Sequence, residues 1–305
     1  MEKELLFQHI INDYDIKGKI SSYNINSFEQ YPHIFRLKSN NRSFFIKQVE
    51  KNRINCEDLN VLYSDLTNIT CIEKPILTKE KKYVSLFADK IILLYEELEQ
   101  IEKNPDSIWW SKCLSNIHNI CVNNRYMTYF QNDFYKQTID LLNSAKKFME
   151  PEIEAKIIKL LMELDDKCLE LNKNIVLCHN DPYDLNVMAI NGEYRLIDTD
   201  GMGLSPKEYD IQRLMWNHLI NSNEVDNSLS FWYSFKDNYE LNVIEKIDTN
   251  LLKQLYILDL IRTTSWLYIV CNDLTRKDIE RQKEQLNLFK RSFYNDNHAK
   301  ILKKI

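Results

Sequence analysis

The stretch from Val176 to Asp200 constrains this chain more than any other. Val176-Leu177-Cys178 reads as a short apolar strand and His179 to Asn186 as a polar loop. A second strand ends at Leu196-Ile197 and runs into Asp198, Thr199 and Asp200. Asn191-Gly192 is a tight-turn signal, so the two strands are expected to form a hairpin. Such a hairpin would gather Asp181, Asn186 and Asp198 at one end of a small sheet. Two carboxylates and an amide offer oxygen ligands to a hard cation and leave one group to orient a hydroxyl. Phosphoryl transfer from a Mg-nucleotide needs that combination.

Composition narrows the alternatives. The chain has 305 residues, 44% of them hydrophobic, enough for one large core or two lobes. The net charge of -5 is spread with both signs mixed, without the basic stripe that nucleic-acid binding requires. The start, Met-Glu-Lys-Glu-Leu-Leu-Phe, lacks a signal-peptide apolar region, and no apolar run reaches the length of a membrane span. The 7 cysteines are scattered and form no Cys-x-x-Cys pair, which fits free thiols in a reducing cytoplasm. Only Gly18, Gly192, Gly201 and Gly203 occur, so neither a Walker A loop nor a Gly-x-Gly-x-x-Gly fingerprint is present. A nucleotide would have to be held by other machinery.

His179-x-Asp181-x4-Asn186, followed by Ile197-Asp198, resembles the aminoglycoside phosphotransferase and choline kinase-like family of small-molecule kinases. The family loop usually carries glycine where Asn180 stands here. The resemblance implies an α+β, two-lobed protein-kinase-like fold, with a small antiparallel-sheet N-lobe and a mainly helical C-lobe. It implies lobes at 1–95 and 99–305, joined by a hinge at 96–98. It makes Asp181 the catalytic aspartate and Asn186 and Asp198 the Mg2+ ligands. His179 would order the loop, and Asp200 would be a further partner of the metal or of a lysine.

The N-terminal pattern is compatible with that fold. A helix is expected up to about residue 17, with Leu5, Leu6, Ile10 and Ile11 on one face. Strands are expected over Lys19–Tyr23, His33–Lys38 and Arg42–Val49. Lys47 in the third strand resembles the kinase lysine that holds the nucleotide phosphates. The segment Asn24–Tyr31 occupies the place of the kinase glycine-rich loop, and Ser27 and nearby backbone N–H groups could meet phosphate. A helix over Asn55–Leu66 has Glu57 in its first turn, which by analogy pairs with Lys47. Glu50 and Asp58 are rivals, and an acidic residue there also suits the helix dipole. Strands at Tyr83–Phe87 and Ile91–Tyr95 lead to Glu96-Glu97-Leu98, where backbone groups of Glu96 and Leu98 would pair with the adenine edge.

Helical patterns dominate afterwards, over 108–120, 130–145, 152–171, 211–220, 250–271 and 277–293. His118 reads as a buried structural histidine. Asp210 is expected either to brace the catalytic loop backbone or to cap a helix. The chain thus reads as an ATP- and Mg2+-dependent kinase, with GTP as an alternative donor. The acceptor would be a hydroxylated small molecule, and the protein a monomer or homodimer. Aminoglycosides or other hydroxylated antibiotics come first; choline, ethanolamine, sugars or amino alcohols are the alternatives, as is a non-catalytic ligand-binding kinase fold. Glu208, Asp259, Asp273 and Asp278 are candidate carboxylates for a polycation. Trp232, Tyr233, Tyr256, Trp266 and Tyr268 are candidates for an aromatic box.

Overall fold

The structure is a computed structural model that describes residues 2–16, 20–23, 34–39, 42–50, 55–126, 134–164, 175–220, 225–273, 278–294 and 296–305. Ser27 and its loop, Lys19, His33, residues 130–133 and 165–171, and Lys277 lie outside the described residues. In chain order the elements are α1 (Glu2–Asp13), β1 (Ile20–Tyr23), β2 (Ile34–Ser39), β3 (Arg42–Glu50), α2 (Cys56–Asp65), β4 (Ser85–Phe87), β5 (Lys90–Glu96) and α3 (Ser107–His118). There follow α4 (Phe134–Ala145), α5 (Pro151–Leu161), β6 (Ile175–Cys178), β7 (Val187–Ile190), β8 (Glu193–Leu196) and β9 (Gly203–Pro206). The chain closes with α6 (Lys207–Ile220), α7 (Val225–Glu240), α8 (Thr249–Cys271), α9 (Ile279–Tyr294) and α10 (Asn297–Leu302).

Two compact units result: Met1–Asn104 with Asn123–Met127 and Leu185–Gly201, and Pro105–Val122 with Thr128–Asp184 and Met202–Ile305. The first is built on a five-stranded antiparallel sheet of order β1-β2-β3-β5-β4. Strand alternation sends Phe44 and Ile46 into a core with Leu6, Ile10, Tyr14, Phe35, Leu37, Ile92 and Leu94. Lys47 therefore faces the other side, paired with Leu93, on the same face as Phe45 and Tyr95. On α1 the buried stripe is Leu6 and Ile10, continued at the same spacing by Tyr14 just past the helix end, and Leu5 is exposed, contrary to the expected face. The start of α2 is fixed by Asn55, whose side chain accepts from the Glu57 N–H.

The expected hairpin forms, but with different strands. Asn191 and Gly192 both have positive φ, and the turn joins β7 to β8, its immediate neighbours. A two-residue turn sets the register of the residues beside it, so the strand ending at Cys178 is too far back in the chain to take part. That strand, β6, instead pairs antiparallel with β9, a segment that begins with glycine and ends with proline. Asp181 and the pair Asn186/Asp198 consequently follow from two different two-stranded sheets. The β7–β8 hairpin is fastened into the first unit along both edges. Leu196 exchanges hydrogen bonds with Cys71 and Glu73, and Ala189 with Glu99.

The second unit is helical around α8, which buries residues on all sides, from Leu251 and Leu252 to Tyr268 and Val270. Asp248 caps it by accepting from the N–H groups of Asn250 and Leu251. Helices α4, α6 and α9 pack on α8, and α3 packs on α7. Among the described residues no helix is long and apolar enough to cross a membrane.

Candidate active site

The first unit assembles a cation between two carboxylates. Leu196 closes the hairpin opposite Val187, and one residue beyond it the Ile197 N–H donates to the Asn186 carbonyl at 2.8 Å. Asn186 and Asp198 are thereby brought to the open end of the same hairpin. Asp198 has φ +65°, a left-handed conformation that aspartate tolerates better than most residues, and a 3-10 turn over Thr199–Gly201 follows. The Lys47 ammonium forms ion pairs with both Asp198 and Asp200. Burial would pull Lys47 toward neutrality, but the two carboxylates more than reverse this and its pKa is raised. Burial together with Asp198 raises the pKa of Asp200, against the opposing pull of Lys47.

The expected Lys47–Glu57 pair does not form. Glu57 is exposed in the first turn of α2, and the ammonium is already held by Asp198 and Asp200. What α2 contributes instead is Tyr63, fully buried, whose hydroxyl meets Tyr95 Oη at 3.0 Å and Thr199 Oγ1 at 3.1 Å. Burial, with the Asp200 charge as the next cause, pushes the Tyr63 phenol up to about 12.

At the end of β5 the glutamate side chains are tied down. Glu96 pairs with Arg42, and Glu97 with Arg36, whose Nε donates at 2.8 Å. The Glu97 N–H donates to Ser43, and Glu99 exchanges two hydrogen bonds with Ala189. Leu98 lies between these anchors, and its backbone carries no hydrogen bond among the described residues. A buried, unclaimed amide and carbonyl there suit the hydrogen-bonding edge of a base.

The second unit builds a rigid loop after β6. The His179 and Asn180 N–H groups both donate to the Asp210 carboxylate at 2.7 Å. Asp210 lies one turn inside α6 and not at its N-cap. His118 Nε2 donates to Asp210 at 3.1 Å, which leaves its Nδ1 to accept from the Tyr239 hydroxyl at 2.6 Å. Asn180 has φ +69°, and its side-chain oxygen accepts from Ser205 Oγ at 2.6 Å. Asparagine is among the residues that best tolerate this conformation. The Asp181 N–H in turn donates to His179 Nδ1 at 3.3 Å.

Asp181 is held by Arg213, a residue that the sequence reading did not single out. Arg213 Nη2 donates to Asp181 at 2.6 Å, and Nη1 to Asp259 at 3.0 Å. Burial disfavours the guanidinium charge, but Asp259, then Tyr209 and Asp181, outweigh this and raise its pKa. Arg213 follows Asp210 by three residues, about one turn of α6, so one helix positions both residues.

The expected acceptor groups fare unevenly. Asp259 is buried against Arg213, and Glu208 is buried with one oxygen accepting from the Asp248 N–H. Neither is free to meet a polycation. Trp232, Tyr256 and Tyr268 are core residues, whereas Tyr233 and Trp266 are partly exposed. For a metal, His118, Cys178 and Asp210 have ligand atoms within 4.8 Å, but all three are buried and Asp210 already takes three hydrogen bonds. The oxygen donors Asn186, Asp198 and Asp200, with Asp198 half exposed, fit a hard divalent cation better.

No family model and no curated protein matches the sequence. Solved structures do match. A spectinomycin phosphotransferase in complex with ADP and spectinomycin is 18% identical, with TM-score 0.67 over 99% of this chain and 98% of that one. An aminoglycoside phosphotransferase from Alicyclobacillus acidocaldarius is 14% identical, with TM-score 0.62 over 96% of each chain. A choline kinase from Streptococcus pneumoniae is 15% identical, with TM-score 0.59 over 98% of this chain and 99% of that one. The small antiparallel sheet and the helical remainder are thus the fold shared by aminoglycoside phosphotransferases and choline kinases.

Proposed function

We propose that the protein is a phosphotransferase that moves the γ-phosphate of ATP to a hydroxyl of a small molecule. The observation that carries this reading is the Lys47 ammonium held by Asp198 and Asp200, which joins the third strand to the carboxylates that follow the β7–β8 hairpin. Leu98 would offer its backbone to the adenine edge, Lys47 would bind phosphate, and Asn186 and Asp198 would hold Mg2+. The bound cation supplies neutralisation of phosphate charge. Asp181, held by Arg213, orients the acceptor hydroxyl and takes its proton as the oxygen bonds to phosphorus and the bond to the ADP oxygen breaks. His179 and Asp210 hold the loop in shape. GTP is the alternative donor, and the site of action is the cytoplasm.

A hydroxylated antibiotic is the favoured acceptor. The spectinomycin enzyme superposes with TM-score 0.67, against 0.59 for the choline kinase. Three of the five aromatics available for a choline box are also core residues. Consumption of ATP, measured against spectinomycin, aminoglycosides, other hydroxylated antibiotics, choline, ethanolamine and sugars, tests the reading. Turnover with one antibiotic is expected. Turnover with choline alone would replace the acceptor, and none with any acceptor, together with no nucleotide binding, would leave a ligand-binding protein.

A further inference from the structure

Three hydroxyls form a chain in the first unit, part-buried at Tyr95 and buried at Tyr63 and Thr199: Tyr95 Oη to Tyr63 Oη at 3.0 Å, and Tyr63 Oη to Thr199 Oγ1 at 3.1 Å. They belong to three different elements, β5, α2 and the turn after β8. Tyr63 and Thr199 are at most 1% exposed. A phenylalanine would fill the volume of Tyr63 without a polar group to satisfy, so its hydroxyl is explained by its partners. Thr199 stands between Asp198 and Asp200. The bond from Tyr63 holds the Thr199 side chain in the interior, and the two flanking carboxylates meet Lys47. Tyr95 shares the sheet face of Lys47. Glu57, the acidic residue of α2 expected to reach Lys47, makes no such contact.

We propose that Tyr63 is a positioning residue for the metal-binding turn: through Thr199 it couples α2 to the placement of Asp198 and Asp200, the work that a carboxylate of α2 would otherwise do through Lys47. This rests on the reading of Asp198 as a Mg2+ ligand. The bond is neutral and buried, so it fixes the turn without adding a third carboxylate to the two that already flank the ammonium. Such coupling acts more on the metal-bound nucleotide, which would depend on Asp198 directly, than on the metal-free nucleotide, which the turn reaches only through its ion pairs with Lys47.

The test is calorimetric titration of the full chain with ATP, once with Mg2+ and once with EDTA, alongside thermal melting. The variants are Tyr63→Phe, Thr199→Val, the double variant and Thr199→Ser. Loss of the neutral Tyr63–Thr199 hydrogen bond should weaken Mg-ATP by about three- to tenfold in either Tyr63→Phe, which also releases Tyr95, or Thr199→Val. The double variant should be no weaker than the weaker single one, because both remove the same bond. Thr199→Ser, which keeps a hydroxyl, should restore parental affinity, and in EDTA each variant should lose less affinity for ATP than it loses with Mg2+. Should Tyr63→Phe fail to fold, the Thr199→Val and Thr199→Ser pair decides. Parental Mg-ATP affinity in the variants, additive losses in the double variant, or equal losses with and without Mg2+ would each overturn the proposal. Failure of the unmodified chain to bind Mg-ATP would overturn the kinase reading itself, and the proposal with it.

Discussion

Each unit places one cation between two carboxylates, and the two arrangements differ in kind. In the first, Lys47 joins Asp198, whose side chain is 48% exposed, to Asp200 at 16%. In the second, Arg213 joins Asp181, 42% exposed, to Asp259 at 1%. Both pair an accessible carboxylate with a sheltered one. Lysine is a compact point charge on a flexible stem, able to exchange a carboxylate for a phosphate oxygen. Arginine is a planar fork that fixes the direction of both partners. The first cluster is therefore suited to exchange partners when a ligand arrives, and the second to hold one carboxylate in a single orientation.

The largest effect should come from Asp181→Asn, which nearly preserves shape and removes the charge. General-base and orienting roles are worth about 10² to 10⁴ in rate, so turnover should fall by that much or more. Affinity for Mg-ATP should stay near the parental value, because Lys47, Asn186 and Asp198 remain. Normal melting with undiminished turnover would transfer the catalytic role away from Asp181.

Next comes Arg213→Ala. It strands the buried Asp259 without its cation, and breaking a buried pair this way costs about 3–5 kcal/mol, visible as a lower melting temperature. Arg213→Lys should fold better but turn over more slowly, since an ammonium cannot serve both carboxylates with a fixed fork. Equal activity of the lysine variant would erase the distinction between the two cations. A smaller loss is expected for Lys47→Ala. Removing a charged hydrogen-bond donor costs about 1.5–3 kcal/mol, which should appear in nucleotide affinity and not in acceptor affinity.

The smallest effect separates pH from both cations. His298 is buried in the second unit. Its Nδ1 accepts from the Tyr256 hydroxyl at 2.8 Å, and its Nε2–H donates to Ser292, whose own proton goes to the Phe289 carbonyl. Burial lowers its pKa to about 3. The unfolded chain, with an ordinary histidine, takes up the proton first on acidification. The contribution is thus complete above the unfolded value and is lost as pH falls toward the folded one. Between pH 6.5 and 5.5 the loss should be about 1 kcal/mol by denaturant titration. His298→Asn should flatten that slope without changing Mg-ATP affinity at neutral pH. An unchanged slope would place the acid sensitivity in another group.

Much of this was legible because it depends on near neighbours in sequence. The alternation of Phe44, Ile46 and Lys47 fixed the face from which Lys47 projects, and Asn55 and Asn191-Gly192 marked a helix start and a turn. The loop spacing from Asp181 to Asn186 needed no tertiary knowledge. What was not legible depends on pairing across long separations. Nothing in Ile175–Cys178 announces that its partner is Gly203–Pro206, a short segment with glycine and proline that resembles a turn. The partner of Lys47 was sought on α2, where an acidic residue stands at a suitable place. The carboxylates 151 and 153 residues away won because the hairpin end delivers them together. Arg213 was hidden for another reason: an arginine on an amphipathic helix reads as solvated unless Asp259 is known to lie beneath it.

The most direct test of the proposed nucleotide site is calorimetric titration of the chain and of Asp198→Ala with ATP in the presence of Mg2+. Saturable binding by the unmodified chain, abolished by Asp198→Ala, is the expected result. Undiminished Mg-ATP binding by Asp198→Ala, or no binding by the unmodified chain, would contradict the assignment of Lys47, Asn186 and Asp198 to a metal-bound nucleotide.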